Sequence, residues 1–111
     1  MKYIYITLLI ATINSFGQLT KIDYADGNQK LEGFFAKSQK ANPKKIGVIV
    51  LPAWMGVDAH AKESAENLAK LGYHAFVADI YGVGNNPKNT GEAGKNAGFY
   101  KNNPAEYQKR I

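Results

Sequence analysis

The chain has 111 residues, 45% of them hydrophobic and 21% charged, with a formal net charge of +5. That length holds one small domain or part of one and excludes a multidomain enzyme, and the composition excludes the low-hydrophobicity, high-charge signature of disorder. There is no cysteine among these residues, which excludes disulfides, zinc–thiolate sites, a cysteine nucleophile and lipid attachment at a processed N-terminal cysteine within them.

Met1-Lys2 supplies one positive charge, residues 3–13 form a nearly uncharged apolar run, and Ser15-Phe16-Gly17 puts small residues three and one before a cleavage point. This is the layout of a secretory signal peptide spanning residues 1–17 and cut before Gln18. Export to the periplasm or the extracellular space is expected. The competing reading is a buried N-terminal strand or helix. A stable membrane span needs about 20 apolar residues, and Asn14, Ser15 and Gln18 interrupt the run. Beyond the leader the positive charge is nearly all lysine, scattered from Lys21 to Lys109 with Arg110 the only arginine. That is the pattern of a solvated surface, so no nucleic-acid partner is expected.

Residues 22–24 are a short β-like stretch, Asp26-Gly27 is a turn signal and residues 31–36 are rich in aromatics, which predicts a hairpin. Polar residues 37–45, with Pro43, read as a loop. Ile46-Gly47-Val48-Ile49-Val50-Leu51 then runs apolar without alternation, which predicts the central strand of a parallel sheet, covered on both faces. Asp58 is placed to cap a helix over residues 59–71, because its carboxylate can accept from the free N–H groups of the first turn. Ala61, Ala65, Leu68 and Ala69 share one face of that helix, and Gly72 stands where a left-handed cap is wanted. Residues 73–78 read as a second buried strand. Residues 46–78 therefore form a strand–helix–strand unit of the length a parallel crossover requires, and the fold class is α/β. From residue 82 to 98 the chain is polar and glycine-rich, a loop or weak helix near the strand ends where open sheets place their sites. Asn103 and Pro104 open a last helix over residues 104–111.

Several of these segments together carry a resemblance. They are Gly47-Val48-Ile49-Val50-Leu51-Pro52-Ala53-Trp54-Met55-Gly56-Val57, the helix after Asp58, Gly72-Tyr73, and Ala78-Asp79-Ile80-Tyr81-Gly82. With the earlier Asp26-Gly27 and Leu31-Glu32-Gly33-Phe34, they resemble the N-terminal part of the dienelactone hydrolase family of α/β-hydrolases, over residues 22–111. The resemblance implies that residues 18–111 are a partial α/β-hydrolase domain, a β-hairpin followed by a β-α-β crossover, ending before the nucleophile elbow. It implies hydrolysis of an ester, lactone or related acyl substrate by a nucleophile, histidine and acid triad lying beyond residue 111, with no cofactor. Accordingly no Gly-x-Ser-x-Gly or Gly-x-Cys-x-Gly occurs, and Ser15, Ser38 and Ser64 fall in the leader, a loop and a helix.

The resemblance also places an oxyanion hole at the turn after the central strand, with the Trp54 backbone N–H as candidate donor. The competing reading is that Trp54 and Met55 merely cover the end of the sheet. Met55 and Tyr81 are candidate substrate-binding residues, with packing as the alternative for each. Two departures bear on substrate: Ala53 stands where dienelactone hydrolases proper have a glutamate that controls the cysteine nucleophile, and Gly82-Val83 where an arginine can hold the substrate carboxylate. A methyl group cannot replace a carboxylate in acid–base work, so a less anionic ester or another acyl substrate is implied.

Asp79 reads as a functional carboxylate or a loop hydrogen-bonder. His60 and His74 read as surface or core residues without metal-ligand spacing. Gly82-Val83-Gly84 lacks the third glycine and the helix of a phosphate loop. The second functional class is an exported, non-catalytic small-molecule-binding protein that reuses the half-fold. It would leave the strand at residues 46–51 with an unpaired apolar edge, unless a dimer formed there.

Overall fold

The computed structural model describes residues 19–111; the leader expected over residues 1–17 lies outside the described residues. The elements in chain order are β1 (Leu19–Asp26), β2 (Gln29–Ala36), β3 (Gly47–Val50), α1 (Ala59–Lys70), β4 (His74–Val77), α2 (Thr90–Asn102) and α3 (Pro104–Lys109). β1 and β2 are the expected hairpin, longer than the apolar residues alone suggested. Their register runs from Leu19↔Ala36 to Asp26↔Gln29 around a two-residue Gly27-Asn28 turn.

The sheet order is β1-β2-β4-β3, with β2 antiparallel to β4 and β4 parallel to β3. The strand–helix–strand unit is therefore present, and the α/β class holds. Among the described residues β3 pairs with β4 alone, leaving the open edge expected of this strand in the chain by itself, while the expected cover of both faces is incomplete. Val48 and Val50 are half-buried, on the alternate positions from Ile49, which is 51% exposed. An unbroken apolar run marks a strand suited to burial on both faces, whereas the neighbours present supply partial cover only.

Helix α1 lies on one face of the sheet through Ala61, Ala65 and Ala69, which pack with Ala36, Ala75 and Val77. Small side chains at a four-residue spacing let the helix axis approach the strands closely, because each Cβ is the only atom that has to fit between the backbones. Asp58 caps the helix as expected, its Oδ1 accepting the Ala61 N–H at 2.9 Å. Gly72 ends it with φ 105°, a backbone region that costs a side chain but not glycine.

The opposite face carries an aromatic layer. Tyr24 meets Phe76 edge to face at 5.7 Å, and Phe76 packs with Ala78, Ile80 and Tyr81 beneath Tyr100 and Tyr107. Gly33 makes room for this layer, since a Cβ there would fall on the Phe76 ring and 2.6 Å from the Val77 carbonyl oxygen. The Asn103-Pro104 break separates α2 from α3. Arg110, after α3, places Nη1 3.0 Å from Asp26 Oδ2 at the hairpin end. The contact is one of charge: neither Nη1 nor Nε has a hydrogen-bond partner among the described residues. No helix among the described residues is long and apolar enough to cross a membrane.

Candidate functional site

Two loops at the C-terminal end of the parallel strands build the site. In the β3–α1 loop, the Gly56 N–H donates to the Ala53 carbonyl at 2.9 Å, closing a turn with Trp54 and Met55 at its corner. Gly56 has φ 77°, and a Cβ on it would lie 2.7 Å from Asn86 Oδ1 and 3.2 Å from Tyr81 Cδ2. The turn is thus packed against the segment that follows β4.

That segment is pinned by Asp79, which is 4% exposed. Its Oδ2 accepts the Glu32 N–H and its Oδ1 the Gly82 N–H, each at 2.9 Å, while its own N–H donates to the Tyr24 hydroxyl oxygen at 2.9 Å. β4 pairs with β2 only over Phe34, Phe35 and Ala36. Past that point the Asp79 carboxylate takes the place of a strand carbonyl at Glu32, and the Val83 N–H, donating to the Lys30 carbonyl at 2.9 Å, extends the pairing further. Asp79 is therefore a main-chain latch, the structural one of its two sequence readings.

The latch turns Tyr81 inward, leaving it 7% exposed. Its hydroxyl donates to the Trp54 carbonyl at 2.8 Å, tying the two loops together. Above the tie lies a cleft of about 270 Å³. Pro52, Ala53 and Trp54 form one wall, Ile80 and Tyr81 the floor, and Tyr100 of α2 with Tyr107 of α3 the facing wall. The rings of Tyr81 and Tyr100 are 5.7 Å apart, and those of Tyr100 and Tyr107 6.4 Å. Burial, and then the neighbouring Tyr100 and Tyr107, push the Tyr81 phenol above its ordinary pKa, so it stays a hydroxyl donor at neutral pH. Lys101 brings a positive charge to the rim. A second, more polar hollow of about 610 Å³, bordered by Asn86, Lys88 and Lys95, adjoins the first across Tyr81 and Tyr100.

The turn has donors to offer. Because a trans peptide points its C=O and N–H in opposite directions, the Ala53 carbonyl, held inside the turn by Gly56, sends the Trp54 N–H outward. Among the described residues neither the Trp54 nor the Met55 N–H has an acceptor. Trp54 and Tyr81 are brought together in the cleft; half-buried Met55 does not line it. The histidines are elsewhere. His60 is exposed on the first turn of α1. His74 Nδ1 accepts the Ser38 N–H at 3.0 Å, and its ring stacks on Phe35 at 5.8 Å. Ser38 and Ser64 spend their hydroxyls on the Lys40 and His60 carbonyls. Among the described residues no cluster of three or more His, Asp or Glu could hold a metal ion.

A family model described as the dienelactone hydrolase family matches residues 31–110. The chain belongs to the dienelactone hydrolase family. Two solved structures are similar to it. A protein titled m3DLH is 28% identical, with a TM-score of 0.74, and the match covers 83% of this chain and 38% of that one. A dienelactone hydrolase-like promiscuous phosphotriesterase from metagenomic libraries is 32% identical, with a TM-score of 0.73, covering 84% of this chain and 38% of that one. The chain thus spans 38% of the length of each. No curated protein matches it.

Within this dienelactone hydrolase family domain, α3 is the last helix expected from Asn103 and Pro104, whereas the extent of α2 and its place in the cleft wall are what sequence reasoning leaves open. Residues 82–98 read as loop or weak helix, yet α2 begins at Thr90. The overlooked signal is Asn89-Thr90-Gly91-Glu92. Asn89 Oδ1 accepts the Glu92 N–H at 2.9 Å and Glu92 Oε2 accepts the Lys88 N–H at 2.7 Å, a variant of the capping box.

Proposed function

We propose that the intact protein is an exported hydrolase of an ester, lactone or related acyl substrate, and that the Trp54 backbone N–H is one donor of its oxyanion hole. The observation that carries this reading is the turn at Ala53–Gly56: an outward N–H without an acceptor, at the rim of an aromatic cleft and next to the end of a parallel strand. A main-chain donor fixed in place before reaction stabilises a developing oxyanion without reorganisation cost. The apolar cleft suits the acyl or alcohol portion of an uncharged ester, in keeping with Ala53 where a control carboxylate would otherwise stand. The nucleophile, acid and histidine would come from sequence outside residues 1–111. Residues 1–17 would direct export, which a mature N-terminus at Gln18, read by mass spectrometry, would support.

The test uses the one substitution that removes a backbone N–H. Trp54 occupies the second position of its turn, where proline is well tolerated. In the intact protein, Trp54→Pro is expected to lower kcat for a p-nitrophenyl ester by about 10²–10³, the usual effect of losing one oxyanion donor. Trp54→Ala keeps the N–H and is expected to remain within a few-fold of the parent. Equal losses in both variants would assign the role to the indole and sink the proposal. Because one structural neighbour is titled a phosphotriesterase, a phosphotriester belongs in the same assay. Cleft binding of a small ester with no turnover by the intact protein would favour the non-catalytic binding protein instead.

A further inference from the structure

The Tyr81 hydroxyl lies in the cleft but is not free for a ligand, since it is engaged at 2.8 Å with the Trp54 carbonyl, 27 residues away in sequence. Trp54 is 48% exposed and has little packing of its own to hold it. Its two flanking peptide planes are each fixed by one hydrogen bond. The Ala53–Trp54 plane is held by Gly56 and the Trp54–Met55 plane by Tyr81. Rotation about the Trp54 Cα is therefore blocked on both sides, and the second block depends on one phenolic proton.

Tyr81 is a rigid post for this purpose. Its ring packs against Tyr100, the Asn85 Nδ2 donates to its carbonyl at 3.0 Å, and Asp79 holds the following Gly82 N–H. We propose that Tyr81 is a positioning residue that acts through the Trp54 carbonyl to keep the Trp54 N–H aimed at the reacting oxygen. Its hydroxyl makes no contact with substrate; its ring forms the floor on which substrate rests. This inference rests on the hydrolase reading and adds to it a residue whose contribution is to orientation alone.

The deciding variant is Tyr81→Phe, which keeps the ring and the cleft and deletes one hydrogen-bond donor. In the intact protein, kcat for a p-nitrophenyl ester is expected to fall by about ten- to a hundredfold, as for a small misplacement of a catalytic group, with KM within about twofold. A ring that merely packed would leave both constants unchanged, and a hydroxyl that bound substrate directly would raise KM instead.

A second readout needs no turnover. Trp54 is the only tryptophan of this chain, so its fluorescence anisotropy reports the turn alone. In the intact protein, with any tryptophan outside residues 1–111 replaced by phenylalanine, Tyr81→Phe is expected to lower that anisotropy while the far-ultraviolet circular dichroism stays unchanged. Active parent enzyme with unchanged kcat in Tyr81→Phe would overturn the positioning role and leave the hydrolase reading standing. Unchanged Trp54 anisotropy would overturn the tie itself. An intact protein without hydrolytic activity, in which Tyr81→Phe still loosens Trp54, would remove the hydrolase reading and support the mechanical link.

Discussion

Replacing Asp79 separates its two readings. Asp79→Ala leaves the Glu32 and Gly82 N–H groups, each now 2.9 Å from a carboxylate oxygen, without an acceptor in a site that is 4% exposed. An orphaned buried donor costs about 1–3 kcal/mol, so the pair should cost about 2–6 kcal/mol. Asp79→Asn retains one acceptor and turns an amide nitrogen toward the other N–H; about half that loss is expected. For a domain of this size each kcal/mol lowers Tm by about 4–8 °C, so both effects stand clear of error in urea or thermal unfolding followed by circular dichroism. Unfolding free energies within about 0.5 kcal/mol of the parent for both variants, the range of ordinary surface substitutions, would refute the latch. Loss of hydrolysis by Asp79→Asn at unchanged stability would instead make the carboxylate catalytic.

Ala65, fully buried between α1 and the sheet, has no room for growth: Ala65→Leu should cost about 1–3 kcal/mol by overpacking, measured by urea unfolding. Asp58→Ala removes the side-chain acceptor of the Ala61 N–H and should cost about 1 kcal/mol by the same measurement. Alkaline pH should destabilise the fold. Tyr24, raised chiefly by burial and further by the Asp79 charge, and Tyr81, raised by burial and its tyrosine neighbours, keep their protons when folded. Unfolded tyrosines begin to lose theirs near pH ~10, so above that point the folded state binds more protons and stability falls as pH rises through the folded-state values. Tyr24→Phe should lower the baseline, because the Asp79 N–H loses its acceptor, and should flatten the alkaline slope of Tm against pH; an unchanged slope would refute the assignment. In the 111-residue chain by itself, Ile49→Lys, at a half-exposed position on the outermost strand among the described residues, should reduce concentration-dependent association in sedimentation velocity, since edge charges oppose strand addition.

The elements most legible in the sequence were those whose causes are local. Asp58, the alanine spacing of α1 and Gly72 specify a helix start, a buried face and a helix end within fifteen residues, and the hairpin follows from Asp26-Gly27 between apolar runs. β3 is legible as a strand, and its open edge among the described residues is the one expected for this chain by itself; its faces are less covered than the apolar run suggests, because such a run records which burial a segment suits and not which neighbours are present. α2 was under-read for a related reason. Gly91, Gly94 and Gly98 depress helix propensity by about 1 kcal/mol each relative to alanine, and the helix has only Ala93 fully buried. Its cap, and the contact of Tyr100 with the layer beneath, outweigh that propensity.

The candidate site divides along the same line. The turn after β3 could be located from the order of motifs, and its chemistry lies in a main-chain N–H that any residue but proline supplies; Trp54 itself carries little of the information. What must be specific are the groups that fix the turn: Gly56, whose backbone angle closes it, Tyr81, whose hydroxyl holds the Trp54 carbonyl, and Asp79, which sets the direction of the Tyr81 segment. Two of these act over separations of 27 and 47 residues, beyond the reach of any local pattern. A main-chain site thus leaves its signature not at the donor but at distant polar side chains whose hydrogen bonds end on backbone atoms. Buried polar residues such as Asp79, which a local reading leaves as a loop hydrogen-bonder or a functional carboxylate, and Tyr81, which it leaves as packing or cleft lining, are the positions where substitution tests the site most directly.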